Sequence, residues 1–282
     1  MSLGLNKTKR RMMSIRSTKK ITKAMELIAT VKLKKYKSVM MDGSLFSDAI
    51  LSISQKIFRY GSKMTNVFTE SVVAEKDLFI VVNSDLGLCA SYNNNVFHLV
   101  NKTLKADDDL IVIGAKGISR YRSENLKINH SLVFSVNDIN YKSIQLLVNF
   151  VLKEFRDKKY AHIKLIYTHY VNSMTFIPRI FTILPIQLNS QKEELSEYPP
   201  LFEPNIATIV KEIVPIYFYT IVNQKIMESL VSEQASRRTA MENANNNADD
   251  LLEKLTLEYN KIRQASITQE ITEVVGAANT NS

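Results

Sequence analysis

The sequence predicts an α/β protein: a long antiparallel coiled coil of N- and C-terminal helices plus a central Rossmann-like α/β domain. Three observations carry this. From Glu203 to Ser282 there is no glycine until Gly276 and no proline after Pro215. From Leu5 to Tyr60 the one breaker is Gly43. Between these segments, short apolar runs alternate with helix-like stretches, the pattern of a mostly parallel sheet. A helix over Ile216–Val275 alone would extend about 90 Å at ~1.5 Å per residue, where an ordinary helix has about 11–12 residues.

At the N-terminus, Met25, Ala29, Leu33, Tyr36 and Met40 draw one apolar stripe between lysines. The stripe is as narrow as a coiled-coil seam, not the broad face of a core helix. Asp77–Asn83 and Asp109–Gly114 are short apolar runs behind acidic starts and read as strands. They lead into the helix-like stretches Tyr92–Lys105 and Ala115–Ser123. A third run, Leu132–Val136, precedes an amphipathic helix, Tyr141–Lys158, with Ile144, Leu147, Val148, Val151, Leu152 and Phe155 on one face. His162–Tyr170 and Thr175–Leu188 are β-rich, and polar Asn189–Pro200 reads as a linker.

In the C-terminal segment, Leu230, Gln234, Arg237, Met241, Ala244, Ala248, Leu251, Leu255, Tyr259, Ile262, Ser266 and Gln269 follow steps of four and three, with one 4–4 slip at Leu255. Gln, Arg and Ser stand where a tight coiled coil has Leu. Such a seam is weak by itself; it either specifies register or does more than hold two helices together. Pro215 lacks an N–H and clashes with the preceding turn, which predicts a kink or the true helix start there. The chain returns through a single middle domain, so the terminal helices are expected to pair antiparallel, Met25–Met40 against part of Met241–Ile262. The expected organisation is a helix over 1–60, a connector over 61–76, the α/β domain over 77–190, a linker over 191–205 and the second helix over 206–282.

Composition bounds the function. The chain has 282 residues, 45% of them apolar, enough for a core in one or two domains. Seven Gly and six Pro fit a helix-rich chain. The single cysteine, Cys89, rules out an internal disulfide and fits a reducing compartment. It also leaves no cysteine-based metal site, and His98, His130, His162 and His169 show no ligand spacing. No apolar run approaches the ~20 residues of a membrane span. Of the net charge of +9, the first forty residues hold +11, twelve Lys or Arg against Glu26, so the remainder is near −2. This basic stripe, which includes Lys19, Lys20, Lys23, Lys32, Lys34, Lys35 and Lys37, points to an anionic partner or else is a solvated helix face.

The sequence carries no catalytic signature. There is no GxxxxGK[ST], GxSxG or HExxH. The turn after the first strand, Asn83 to Ala90, has one glycine where a dinucleotide fingerprint needs three, and Gly114-Ala-Lys-Gly117 has two. Both read as turns without a ligand. Cys89 has no histidine partner in sequence and reads as packing. The chain is expected to be non-catalytic by itself, without a bound cofactor or metal.

Three stretches nevertheless resemble one family. Ile15-Arg-Ser-Thr-Lys-Lys-Ile-Thr-Lys-Ala-Met25-Glu-Leu is similar to the N-terminal helix of the γ subunit of rotary F-type ATP synthases. Ser84-Asp-Leu-Gly-Leu-Cys-Ala is similar to that family's SDRGLCG turn, with Leu86 for Arg and Ala90 for Gly. Ser232-Glu-Gln-Ala-Ser-Arg-Arg-Thr-Ala-Met-Glu-Asn-Ala and Leu255-Thr-Leu-Glu-Tyr-Asn-Lys-Ile-Arg-Gln-Ala-Ser-Ile-Thr-Gln-Glu resemble its C-terminal helix. One departure lies at the end: Glu273 is followed by Val-Val-Gly-Ala-Ala, one residue short of the family pattern, and the tail is polar.

The resemblance implies a central rotor shaft. Its terminal helices would form a left-handed coiled coil inside a hexameric ring of catalytic β and non-catalytic α subunits, one copy per complex. The α/β domain would sit at the base, near an epsilon-type subunit and a membrane c-ring. Mg-ATP or ADP would be bound by the ring, not by this chain. Family contact positions carry over to Met25, Arg237, Arg263, Gln264, Thr268 and Glu270; Arg263 and Gln264 would form a polar catch on a loop of a catalytic subunit. The basic stripe would meet acidic loops of those subunits. The motif begins almost at Met1, which implies a bacterial-type chain without presequence, peripheral on the cytoplasmic side of the cell membrane, or else part of a cytoskeletal or motility assembly.

The alternatives differ in class. A shaft of this type can belong to a motor that drives work other than ion transport. A basic coiled-coil nucleic-acid-binding protein is more remote: aromatics are not regularly interleaved with the basic run, where Tyr36 stands alone, and no helix-turn-helix or finger pattern is present, so no nucleic acid is expected. An oxidoreductase lacks its glycine fingerprint.

Overall fold

The computed structural model describes residues 2–61, 68–70, 72–129, 132, 134–187 and 201–280. Most of the expected linker, Val133 and Leu188 of the expected strands, and His130 lie outside them. The chain forms α1 (Ser2–Tyr60), β1 (Leu78–Val82), α2 (Tyr92–Thr103), β2 (Asp109–Ile113), α3 (Ala115–Ser123), α4 (Tyr141–Arg156), β3 (Ile163–Tyr170), β4 (Phe176–Leu184) and α5 (Ile206–Thr280). Its contacts divide it into two compact units, Val31–Ser236 and the pair Met1–Thr30 with Arg237–Ser282. The units part inside α1 and α5, not at the helix ends at Tyr60 and Ile206.

The Val31–Ser236 unit is built on one sheet of order β2-β1-β3-β4. β2, β1 and β3 run parallel and β4 closes one edge antiparallel. All five residues of β1 are buried, which is why Leu-Phe-Ile-Val-Val reads as a continuous apolar run and not as an alternation. On one face, Phe79, Val81, Leu110, Val112 and Ile166 pack with Val96 and Val100 of α2 and Tyr121 of α3. On the other, Ile80, Val82, Ile111 and Leu165 pack with Val151 and Phe155 of α4, Phe58 of α1, and Phe218, Val222 and Ile226 of α5. Phe155→Ala there would cost about 3–5 kcal/mol. Helix α4 starts in a capping box: Ser143 N donates to Asn140 Oδ1 at 3.1 Å and Asn140 N to Ser143 Oγ at 2.8 Å.

Two expectations change. The run Leu132–Val136 contributes an isolated bridge, Phe134 to Ile113, and passes at Val136–Asp138 into a 3-10 turn. The chain turns there before a ladder can extend. Pro215 marks no helix start, because α5 begins at Ile206 and runs through it. Asn205 caps that start, its Oδ1 accepting from Thr208 N at 2.9 Å, and burial of Val214 and Phe218 offsets the hydrogen bond Pro215 cannot make. By length and composition α5 also has a window apolar enough to cross a membrane, at a mean hydropathy of 1.3; its Val210, Val214, Phe218 and Val222 are core residues.

Candidate functional site

In the unit formed by residues 1–30 and 237–282, α1 and α5 pair antiparallel. Rising numbers on α1 meet falling numbers on α5: Lys19 binds Asp249, Thr22 Oγ1 donates to Asn245 Oδ1, and Asn245 Nδ2 donates to Glu26 Oε2 at 2.6 Å. The inward positions of α1 are Leu5, Thr8, Met12, Ile15, Lys19, Thr22, Glu26 and Ala29. Those of α5 are Met241, Asn245, Ala248, Leu252, Leu255, Tyr259, Ile262 and Ser266. Both series keep steps of three and four without a slip, as a left-handed pair requires.

This corrects the expected α5 seam at three positions. Leu252 faces inward where Leu251 was expected, and Leu251 is 43% exposed. Asn245, 5% exposed, takes the seam position, with Ala244 beside it only half-buried. Gln269, expected to extend the seam, is exposed. The partners of Met25–Met40 also lie mostly upstream of Met241–Ile262. Glu26 meets Asn245, and within the larger unit Leu33 packs on Val231 and Ala235. Equal spacing fixes the phase of a seam, whereas register comes from particular side chains, here Thr22, Asn245 and Glu26. Sequence reasoning missed these three because it followed apolar residues; a step of four from Met241, in place of the step of three to Ala244, lands on Asn245.

The Lys23 ammonium, at 3.0 Å, is the main influence that holds the Glu26 carboxyl below the usual carboxylate range, and the Asn245 amide adds to it against the cost of burial. Glu26 is thus an ionised acceptor at neutral pH, bonded along its own helix and across the pair.

The expected contact residues separate into two kinds. Met25 is half-buried beside the seam and Arg237 is 7% exposed. Arg263, Gln264, Thr268 and Glu270 are exposed, on the outside of α5. Thr268 Oγ1 donates to the Gln264 carbonyl at 3.0 Å, so this stretch is regular helix. Of the basic stripe, Lys19 faces inward onto Asp249 and Lys23 binds Glu26, while Lys20 is exposed. Lys32, Lys34, Lys35 and Lys37 belong to the larger unit, where Lys32 is half-buried and the other three are exposed. Lys37 Nζ lies 5.9 Å from the centre of the Tyr170 ring. The outer face of the smaller unit also bares apolar side chains, among them Met13, Ile21, Leu27, Ile28, Leu257 and Ile271. A helix pair with both kinds of side chain outside is suited to being enclosed.

The other positions worth examining for chemistry are the turns after β1 and β2. The Ser84–Ala90 turn is tied together internally. Asn93 Nδ2 donates to Ser84 Oγ at 2.7 Å, and Ser84 Oγ donates to the Leu86 carbonyl at 2.7 Å. Cys89 is buried, and its carbonyl accepts from Ser236 Oγ of α5 at 2.7 Å. Among the described residues no group of three or more His, Cys, Asp or Glu is placed to hold a metal.

A family model described as ATP synthase matches residues 4–280. The ATP synthase gamma chain of Mycoplasmopsis pulmonis is 39% identical over 276 residues, 98% of this chain and 99% of its own length. That of Clostridium novyi is 34% identical over 280 residues, covering 98% of this chain and 97% of its own. Among solved structures, a chain from the central stalk and c-ring of the Tetrahymena thermophila mitochondrial ATP synthase has a TM-score of 0.61 at 22% identity, covering 79% of this chain and 99% of that one. A chain of the Euglena gracilis mitochondrial ATP synthase has a TM-score of 0.56 at 15% identity, covering 91% and 94%. At those identities the structural likeness concerns the fold.

Proposed function

Because the chain belongs to the ATP synthase γ-chain family, we propose that it is the central rotor shaft of a rotary F-type complex, coupling ATP synthesis or hydrolysis in a catalytic hexamer to rotation and ion translocation. The observation that carries this reading is the antiparallel α1–α5 pair of the smaller unit, with its polar seam and its mixed basic and apolar outer face. A rod that turns inside a ring needs a fixed internal register and a surface that is nowhere uniformly adhesive. Asn245 and Glu26 serve the first need, and the interspersed Lys20, Ile21, Leu27 and Arg263 serve the second.

In this reading the chain performs no catalysis itself and holds no cofactor. Its partners are a ring of catalytic β and non-catalytic α subunits, with an epsilon-type subunit and a membrane c-ring at the base and one shaft per complex. Arg263 and Gln264 form the catch on a catalytic subunit, with Thr268 and Glu270 about a turn further on; Met25 lies against the ring, and the exposed lysines meet its acidic loops. Arg237, expected as a contact, is 7% exposed and offers the ring little surface. The complex works at the cytoplasmic side of the membrane. The relatives that match over nearly their full length carry the name ATP synthase gamma chain, which favours the ion-coupled form over a motor doing other work.

Affinity purification of the tagged chain from its own cells tests this. Recovery of nucleotide-binding ring subunits together with a membrane ion-channel ring is expected. Recovery of the ring subunits without the channel would point to other work, and recovery of neither would overturn the shaft.

A further inference from the structure

Helix α5 meets the sheet in two ways. Val214, Phe218, Val222 and Ile226 pack on it as apolar core. Further along, the same helix presents hydroxyls. Ser229, Ser232 and Ser236 follow steps of three and four, so they share one face over about 10 Å of helix. All three are buried. On local grounds serine is a poor choice there, because it neither favours a helix interior nor fills a core.

Each hydroxyl meets a main-chain group at the carboxyl end of the sheet. Thr168 N of β3 donates to Ser229 Oγ at 3.0 Å. The Ser232 hydroxyl is shared between the Glu228 carbonyl of its own helix at 2.8 Å and the Thr168 carbonyl at 3.3 Å. Ser236 Oγ donates to the Cys89 carbonyl, in the turn after β1, at 2.7 Å. The sheet itself calls for these partners. Leu78 N of β1 donates to the His162 carbonyl, so alternate residues of β3 counted from His162 turn their main-chain groups toward β1. β1 pairs with β3 as far as Val81 and Ile166. Thr168 is the next residue of that series, and its N–H and C=O emerge, buried, where β1 has ended. Helix α5 takes them up in place of a strand, which spares the cost of leaving them unpaired. One residue further along β3, His169 Nδ1 lies 2.6 Å from the Glu228 carboxylate, which also binds Lys225 Nζ at 2.8 Å.

Apolar contact resists separation but has no direction of its own, whereas a hydrogen bond weakens steeply once its angle is spoiled. Bonds to two separate elements, β3 and the turn after β1, at different heights on one helix therefore oppose both turning of α5 about its axis and sliding along it. We propose that Ser229, Ser232 and Ser236 are positioning residues that lock the rotational setting of α5 on the sheet, so that the α/β domain and α5 turn as one body. The inference rests on the shaft reading, in which α5 carries rotation between that domain and the helix pair.

The test uses the full chain and the reconstituted complex in membrane vesicles. Ser229→Ala with Ser236→Ala is compared with Val222→Ala, which removes core packing from the same helix and keeps all three hydroxyls. In the isolated chain, exchange of the Thr168 amide is expected to rise about tenfold in the serine variant, the effect of losing its acceptor. In vesicles the serine variant continues to hydrolyse ATP but loses ion uptake per ATP hydrolysed, a ratio that Val222→Ala retains at the wild-type value. Thr168 exchange at the wild-type rate overturns the proposal. So does an uptake ratio that is unchanged in the serine variant, or lowered equally in Val222→Ala. Should the serine pair fail to fold, Ser236→Ala alone, which leaves the Thr168 bonds in place, decides by the same ratio. A complex whose wild-type chain supports no ion uptake brings down the ion-coupled shaft reading and this inference with it. A coupled wild type beside an equally coupled serine variant brings down the inference alone.

Discussion

Asn245 reaches across the helix pair and donates to the Glu26 carboxylate at 2.6 Å, while its own amide oxygen accepts from Thr22 one turn away on the same facing helix. One amide thus reads two positions of the partner at once. The side chains around it, Ala244 and Ala248, are too small to select a register by shape. Asn245→Ala is therefore expected to lower stability by about 1.5–3 kcal/mol, the range for a bond to a charged acceptor. In a double-mutant cycle with Glu26→Ala, urea denaturation should give a coupling of about 0.5–3 kcal/mol. Additive effects would make the amide a bystander.

Acid should loosen the sheet at its amino edge. Burial raises the Asp77 carboxyl, but Lys164 Nζ at 2.6 Å and His162 Nδ1 at 2.9 Å outweigh it and hold the group below the usual range. Asp109 is held low in the same way by Lys76 and the Tyr160 hydroxyl, against its own burial. A carboxyl lowered by folding contributes fully above its unfolded value of about 3.9. That contribution is lost as pH falls through the lower folded value. Urea midpoints at about pH 6 and about pH 3 should show Asp77→Asn losing less than the wild type between the two. An equal loss would remove Asp77 from the acid response.

Ala90 stands at φ 46°, in the left-handed region that favours glycine. The strain of a Cβ there exceeds the chain entropy that alanine saves in the unfolded state. Ala90→Gly is accordingly expected to raise stability by about 0.5 kcal/mol. A lower denaturation midpoint would show that the turn is relaxed as it stands.

Much of this was legible in the sequence, because strong local patterns survive folding. β1 and β2 read as unbroken apolar runs since both their faces are covered. Helix α4 read cleanly since one face meets water. The helix pair was legible as a pair but not in its register, because apolar spacing repeats every heptad and the residues that break the repeat, Asn245 and Glu26, are polar. Pro215 suggested a boundary because propensity is local, whereas the packing that carries α5 through it comes from Phe218 and Val222 against the distant sheet. The bonds of Asp85 were hidden for a similar reason: the groups that donate to its carboxylate, Ala115 N and Ser135 Oγ, are thirty and fifty residues away.

The proposed catch has a simple structural premise. Arg263 and Gln264 are exposed, between the inward-facing Ile262 and Ser266, so neither holds the helix pair together. Arg263→Ala with Gln264→Ala should change the stability of the isolated chain by less than about 1 kcal/mol, as ordinary surface substitutions do. ATPase rates of the reconstituted complex should fall much further. A large melting shift with unchanged ATPase would reverse the assignment.

The basic stripe calls for a kinetic measurement. Lys34, Lys35 and Lys37 are exposed and Lys32 is half-buried. Lys37 Nζ sits 5.9 Å from the centre of the Tyr170 ring, and a cation–π contact of that kind contributes about 0.5–1 kcal/mol at an exposed site. Individual exposed ion pairs with a partner add only ~0–1 kcal/mol and are screened beyond about 10 Å at ~0.1 M salt. Their combined field acts on encounter more than on the bound state. Replacing Lys32, Lys34, Lys35 and Lys37 by Gln should therefore slow association with the catalytic ring at low salt and leave dissociation almost unchanged. Stopped-flow mixing at two ionic strengths decides it. A quadruple variant that associates at the wild-type rate in low salt would make these lysines a solvated helix face, with the encounter guided by some other part of the chain.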